Sequence, residues 1–467
     1  MAKTPMATRT TLADRLADYA LGLRFEDLPA RTVHEARRRF IDTLGCALGA
    51  KAGDAPQAAW RMARRVKSDP GATVLYGGQT SPDMAAFVNG ILFRYLDYND
   101  TYLSLEPAHP SDNLSAVLAA GEIARSTGKD LIVAAVLAYE IQCRMADAAS
   151  IRKQGWDHVC YGSFSAALAA GRLLGLTADQ LVHAQGLSAN GHMAMRQVRA
   201  GELSMWKGAS FANSARNAMT AVLLAAEGMT GPAPIFEGEM GFFQQVSRGP
   251  FDLPKLGGRN RAPFMLPGTY IKFWPAEYHS QSAIDAALQL RTEIDDPSSI
   301  KGVLIETFNT AVEIIGKDPE KWRPRTRETA DHSLPYCTVV ALVDGEVGLD
   351  QFAPERFSDE RLLDIVARTE VKADAGLNAR YPRGIPNLIT VTTKDGRRHV
   401  REVEFPRGHA GNPMTDAEVE AKFRALAAGK LSERKQDQVL AALWKLEELT
   451  DVGALIGLFA DGGRGRG

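Results

Sequence analysis

Cysteine is scarce in this chain: four among 467 residues, at Cys46, Cys143, Cys160 and Cys337, with no Cys-x-x-Cys pair. Such wide spacing speaks against zinc or iron–sulfur ligation and fits reduced, mostly buried thiols in a cytoplasmic protein. Long apolar runs are missing too, so no membrane-spanning helix is expected. Net charge is almost absent, with 55 Lys and Arg against 56 Asp and Glu. That balance argues against a nucleic-acid surface or a polybasic membrane contact as the main business. Met1 to Thr11 has basic residues but no apolar core, so no secretory leader is expected. The short Arg-Gly ending, Gly462 to Gly467, reads as a frayed tail. Walker-type loops, a Gly-x-Gly-x-x-Gly turn after a strand, a Gly-x-Ser-x-Gly elbow and His-Glu-x-x-His are all lacking. Nucleotide-dependent, serine-hydrolase and zincin chemistries thereby lose their usual signatures.

What is present is helix after helix. Thr10 or Thr11 caps an amphipathic segment to Leu21 with Leu12, Leu16, Tyr19 and Ala20 on one face. Leu28 to Ala50 is a second helix, and its small residues Gly45, Cys46, Ala47 and Gly49 permit close packing. Ala55 to Val66 follows, then a brief extended piece from Gly71. From Ser81 to Met229 the chain is Ala- and Leu-rich at helical period, with short connections and no clear strand alternation. After about Pro263 the texture changes. Ile300 to Phe308 alternates as a half-buried strand, and Asn387 to Val403 reads as a hairpin turning at Asp395-Gly396. Ser280 to Ile294, Pro335 to Asp344 and Asp359 to Arg368 are helices, and Thr415 with Glu418 opens a last helical stretch to about Phe459. The predicted fold is mainly α: a large all-helical domain, residues 1–265 with 410–467, and a smaller α+β domain, residues 266–409.

The stretch richest in chemistry runs from Tyr95 to Asn113 between two apolar helical segments and carries Asp97, Asp100, Thr101, Glu106, His109 and Asp112. A histidine and several carboxylates in one turn can supply an acid–base pair, while the same residue types also suit helix starts. Asp97, Asp100 and His109 suit a metal by type, but no second His or Glu arrives at i, i+4 spacing, so no metal is expected. Lys207, ahead of a long Ala-rich helix, can meet a substrate carboxylate or stand in solvent. Lys272 to Gln281 brings Lys, Glu, His279 and Gln281 to a helix start, and His332 opens another apolar helix. Arg196 and Arg199 are further carboxylate binders.

In order along the chain, these stretches resemble the MmgE/PrpD family. The residues that carry the likeness are Asp97-Tyr-Asn-Asp-Thr101 with His109-Pro-Ser-Asp112, Lys207-Gly-Ala-Ser-Phe-Ala212, and Gly231-Pro-Ala-Pro-Ile-Phe236. Lys272-Phe-Trp-Pro-Ala-Glu-Tyr-His-Ser-Gln281, His332-Ser-Leu-Pro-Tyr336 and Gly411-Asn-Pro-Met-Thr415 continue it. The wording around Glu106, His109 and Gln281 looks most like the 2-methylcitrate dehydratase branch. The resemblance implies a smaller domain acting as lid, a homodimer, no cofactor, and a hydro-lyase dehydrating a tricarboxylate such as 2-methylcitrate. A cis-aconitate-type decarboxylase or a dicarboxylate epimerase are the alternatives on the same fold, and a non-catalytic helical binding protein is the rival outside it. The resemblance carries catalytic positions onto Asp97, Thr101, His109 and Lys207, with His109 and Asp97 read as the acid–base pair; His279 is a further catalytic candidate, and Arg196, Gln281, His158 and His332 are candidate substrate contacts. Two departures stand out. Many relatives carry His where this chain has Gln281, with His279 two residues earlier, and His158 matches another family histidine only approximately.

Overall fold

The computed structural model describes residues 10–258 and 261–459; the readings for the first nine residues and for Gly462 to Gly467 lie outside them. The first half is a stack of helices: α1 Leu12–Gly22, α2 Ala30–Ala50, α3 Asp54–Ala63, α4 Pro82–Arg94, α5 Leu114–Ile123, α6 Gly128–Ala148, α7 Gly162–Leu173, α8 Ala178–Gly191 and α9 Trp206–Ala226. Their starts are set by local chemistry. The Thr11, Thr127 and Thr177 hydroxyls each accept the backbone N–H three residues on, and Asp14, Asp130 and Gln180 reach back. Each such box satisfies donors that the first helical turn leaves unpaired. The brief extended piece after Gly71 becomes a two-residue antiparallel pair, β1 Ala72–Thr73 with β2 Gln79–Thr80.

All of α4 except Asp83 is buried, as a helix that is apolar nearly all round must be. It lies along α9, and Gly90 makes that possible: a Cβ there would sit 2.8 Å from the Ala212 Cβ. Because α4 ends at Arg94 and α9 begins at Trp206, this small-residue seam fixes where the wall at Asp97 stands relative to Lys207.

The smaller part is built on a four-stranded sheet in the order β4-β3-β5-β6. Its strands are β3 Ile300–Thr307, β4 Thr369–Ala373, β5 Asn387–Thr393 and β6 Arg398–Val403. β3 and β5 pair antiparallel with Ile305 opposite Ile389, and β5 turns into β6 through Gly396 at φ 88°. The alternation in β3 and the Asp-Gly turn anticipate these three strands. β4 was not foreseen from sequence. It pairs parallel to β3 after the helices Leu334–Asp344 and Glu360–Ala367, and only its first residue is buried. An exposed edge strand reading Thr-Glu-Val-Lys-Ala carries too little apolar pattern to announce itself.

Two buried apolar cores result. One gathers residues from Leu12 to Ile271 and again from Met414 to Phe459; the other runs from Tyr270 to Val391 and takes in Leu103. They meet at a two-residue bridge in which Thr101 and Tyr270 exchange both backbone hydrogen bonds, at 2.9 and 2.8 Å. Among the described residues no helix is long and apolar enough to cross a membrane. Replacing Gly90 by Val is expected to push α4 off α9 and cost ~1–3 kcal/mol by overpacking. A thermal melt should show the loss as a lower midpoint; an unchanged or higher one would contradict the close approach.

Candidate active site

The turn between α4 and α5 is held by its own carboxylates. Asp100 accepts the Ser111 N–H at 3.0 Å and the Tyr139 hydroxyl at 2.6 Å. Glu106 accepts the Ser150 hydroxyl and the N–H groups of Ile151 and Arg152, at 2.8 to 3.1 Å. The Asn99 side chain donates to Ser111 and Asp112 at 2.9 and 2.7 Å. Burial pushes the Asp112 carboxyl up to about 7. Asp100 and Asp112 thus brace the turn from within and against α6, and Glu106 ties it to Ser150–Arg152, so the three acids shape the wall.

Asp97 is different. It is fully buried, sits at a left-handed φ of 49°, and its carboxylate is surrounded by cations. Arg94 bonds one oxygen in a very short contact, and the Lys272 ammonium donates to the same oxygen at 2.7 Å and to the Asp97 carbonyl at 3.0 Å. Lys207 stands 3.6 Å and His332 3.3 Å from the other oxygen. Burial opposes ionisation, but Arg94, Lys272 and Lys207 outweigh it and hold the carboxyl well below its usual range. Asp97 is therefore a permanent anion that organises cations. It is badly suited to the proton-carrying half of an acid–base pair with His109.

Lys207 is tied down as well, donating to Asp331 at 2.9 Å with the His332 Nδ1 at 3.3 Å. Asp97, Asp331 and His332 present the kind of oxygen and nitrogen atoms that hold a metal, all within 4.8 Å of one another. The Lys207 ammonium already lies among them. His332 keeps its Nδ1 2.6 Å from Asp331, and among the described residues its Nε2 has no hydrogen-bond partner. Burial and then Lys207 drive its pKa from 6.5 down to about 4.

His109 lies on the other side of Arg94. Its Nδ1 is 2.8 Å from the Asp100 carbonyl, an acceptor, so the proton resides on Nδ1. Its Nε2 then accepts from Arg94 at 3.0 Å. Burial, Arg94 and Lys272 all disfavour a second proton and keep its pKa well below the usual histidine value. The imidazole is neutral, and its one lone pair points at a guanidinium.

Arg94, Asp97, His109, Lys272 and His332 line a cavity of about 60 Å³. Arg94, Arg196, Arg199, Lys272 and Lys321 supply five cations to its wall, against the carboxylates of Asp97 and Glu277. Four histidines complete the polar lining: His109, His158, His279 and His332. Both His158 and His279 are oriented by a neighbouring acid, Asp157 and Glu277 respectively, each at 2.8 Å through Nδ1. His279 turns its Nε2 toward the Tyr381 hydroxyl at 3.3 Å. A concave wall with more positive charge than negative is a site for a small polyanion.

Of the residues singled out from sequence, Asp97, His109, His158, Arg196, Arg199, His279 and His332 line this one cavity, as do Lys272 and Glu277 from the polar cluster before Gln281. Lys207 is one layer behind, against Asp97 and His332. Thr101 stands behind His109, its hydroxyl 3.1 Å from Nδ1. Gln281 is not part of the lining. Its amide accepts the Trp274 N–H at 3.2 Å and donates to the Trp274 and Ala276 carbonyls at 2.9 and 3.1 Å, which clamps the loop before its helix. Arg94 and Lys321 were not named from sequence, and Lys272 and Glu277 entered only as members of a polar cluster without an assigned role. Arg94 had a signal, a lone cation in the apolar run Met84 to Leu96 that lands three residues before Asp97.

Residues 14–254 match the MmgE/PrpD N-terminal domain and residues 274–447 the MmgE/PrpD C-terminal domain, in chain order. The chain belongs to the MmgE/PrpD family. It is similar to a 2-methylcitrate dehydratase of Cupriavidus necator, 29% identical over 94% of this chain and 95% of that one. A Salmonella typhimurium protein of the same name is 28% identical over 86% of this chain and 87% of its own. A mitochondrial 2-methylcitrate dehydratase of Yarrowia lipolytica is also 28% identical, over 91% and 86%.

The buried histidine makes stability depend on pH. The unfolded chain accepts a proton near 6.5 that folded His332 refuses until about 4, so its contribution is present above that window and lost as pH falls through it. His332→Gln should flatten the fall in urea midpoint across the window, by up to ~1.4 kcal/mol per pH unit. Identical slopes in the two proteins would show that His332 is protonated in the fold.

Proposed function

We propose that the protein is a hydro-lyase that dehydrates a tricarboxylate of the 2-methylcitrate type by β-elimination. The observation that carries this reading is the excess of cations over carboxylates on the wall of a cavity that also holds His109 and His332 in their neutral form. Three carboxylates on one small molecule are the ligand that such a wall neutralises. The names of the relatives point to the same substrate class.

The division of labour follows from the contacts. Arg94 is the pivot: a substrate carboxylate that takes its guanidinium releases the His109 Nε2 lone pair. That nitrogen then abstracts the proton next to a carboxylate, and its depressed pKa keeps it in the basic form at neutral pH. Negative charge builds on the substrate, where Arg94, Arg196 and Arg199 stabilise it in a site sheltered from water. Lys272, whose pKa burial lowers against the pull of Asp97, donates a proton to the departing hydroxide. The C–O bond breaks, water leaves, and a C=C bond forms beside the carboxylate. Thr101 and the Asp100 carbonyl hold the His109 ring; Lys207 steadies Asp97, Asp331 and His332; His279 with Glu277 is a further proton carrier at the far wall. No step asks for a cofactor.

In the same reading residues 266–409 act as a lid over the helical part formed by 1–265 and 410–467. A homodimer belongs to the same reading through the family resemblance.

Purified protein stripped of metal and incubated with 2-methylcitrate should yield water loss and a conjugated double bond, seen by ultraviolet absorbance and NMR. Carbon dioxide release would make it a decarboxylase, and no binding at all would make it no enzyme of tricarboxylates. His109→Ala is expected to lower the rate ~10²–10⁴-fold while remaining folded; near-normal turnover would remove His109 from the mechanism.

A further inference from the structure

Among the described residues that line the cavity, every side chain is charged or polar except Pro107 and Ile314. Ile314 lies on a π-helical turn, Val312–Gly316, next to the loop that brings Lys321 to the same wall. Single π-turns are uncommon and recur at functional positions because they re-aim a side chain. Here the turn leaves Ile314 partly buried against the smaller apolar core while it also faces the cationic cavity. A fully carboxylated ligand has no use for such a contact, since polar groups set against it lose water without gaining a partner. A ligand with one alkyl substituent does.

We propose that Ile314 is the specificity-determining residue that contacts the alkyl substituent of the substrate and favours a methyl-bearing tricarboxylate over its unmethylated counterpart. The inference rests on the substrate class proposed above and deepens it. It assigns Ile314 no part in proton transfer, so altering it should change which substrate is preferred and leave the acid–base groups intact.

The test compares 2-methylcitrate with citrate on the wild-type protein, on Ile314→Val, which removes one methylene and stays apolar, and on Ile314→Thr, which has the shape of valine with a hydroxyl in place of one methyl. Both kcat/KM and calorimetric binding are measured. One methyl in an apolar contact discriminates by about 10–200-fold, so the wild-type protein should prefer 2-methylcitrate by roughly tenfold or more. Ile314→Thr should erase most of that preference and Ile314→Val part of it, with citrate handled as well as before. Turnover of both compounds with a ratio unchanged by either variant overturns the assignment of Ile314 alone. Failure of the wild-type protein to bind either compound overturns it together with the substrate reading.

Discussion

The carboxylate of Asp97, buried and ringed by Arg94, Lys272 and Lys207, is the interaction on which the site depends. An ion taken out of water costs several kcal/mol unless partners satisfy it, and stripping a partner from such a cluster costs more than the cluster earns. Each cation here has a second duty. Arg94 caps the His109 lone pair, Lys207 anchors Asp331, and Lys272 faces the cavity. One anion thus sets the position of three cations and, through them, the protonation of two histidines. The left-handed backbone at Asp97 is consistent with that demand, because aspartate is among the few residues that tolerate the region.

The scaffold explains how such a cluster stays in register. Arg94 ends α4 and Lys207 lies in the first turn of α9, and those two helices touch through Gly90 and Ala212. Lys272, Asp331 and His332 arrive from the stretch after the chain has crossed to the second core. Arg327 ties the same stretch to the end of α4 by donating to the carbonyls of Tyr95 and Leu96 at 2.7 and 3.1 Å. Carbonyls at a helix C-terminus lack partners within the helix, and a guanidinium is a natural one.

Much of this was legible in the residues, and the limits were physical. Helix starts were readable because Thr11 and Thr415 solve a local problem with residues three positions away. The wall from Tyr95 to Asn113 was readable as a concentration of acids and a histidine. Which of those acids serve structure was hidden: Asp100 is spent on Tyr139 and Ser111, Glu106 on the backbone after Ser150, and no spacing rule reveals such partners. Pairing across long separations was equally invisible, as with Lys272 to Asp97 and Lys207 to Asp331. Gln281 looked like a pocket residue because it stands where relatives have a histidine, yet its amide is consumed by the loop it follows. β4 escaped because an exposed charged edge has no apolar rhythm.

The cluster around Asp97 also spans the seam. Arg94, Asp97 and Lys207 belong to the helical part, whereas Lys272, Asp331 and His332 come from beyond Tyr270. The ion pairs that tune the histidines are thus the same ones that hold the two cores together at this point. Under the lid motion proposed above, shutting the cavity and arming its acids and bases would be a single event. An opened site would present cations and carboxylates parted from each other and bathed in solvent, with His332 and His109 released from the surroundings that keep them neutral. Small anions drifting into that open form would meet attraction without chemistry, so selectivity would be decided at the moment the seam closes.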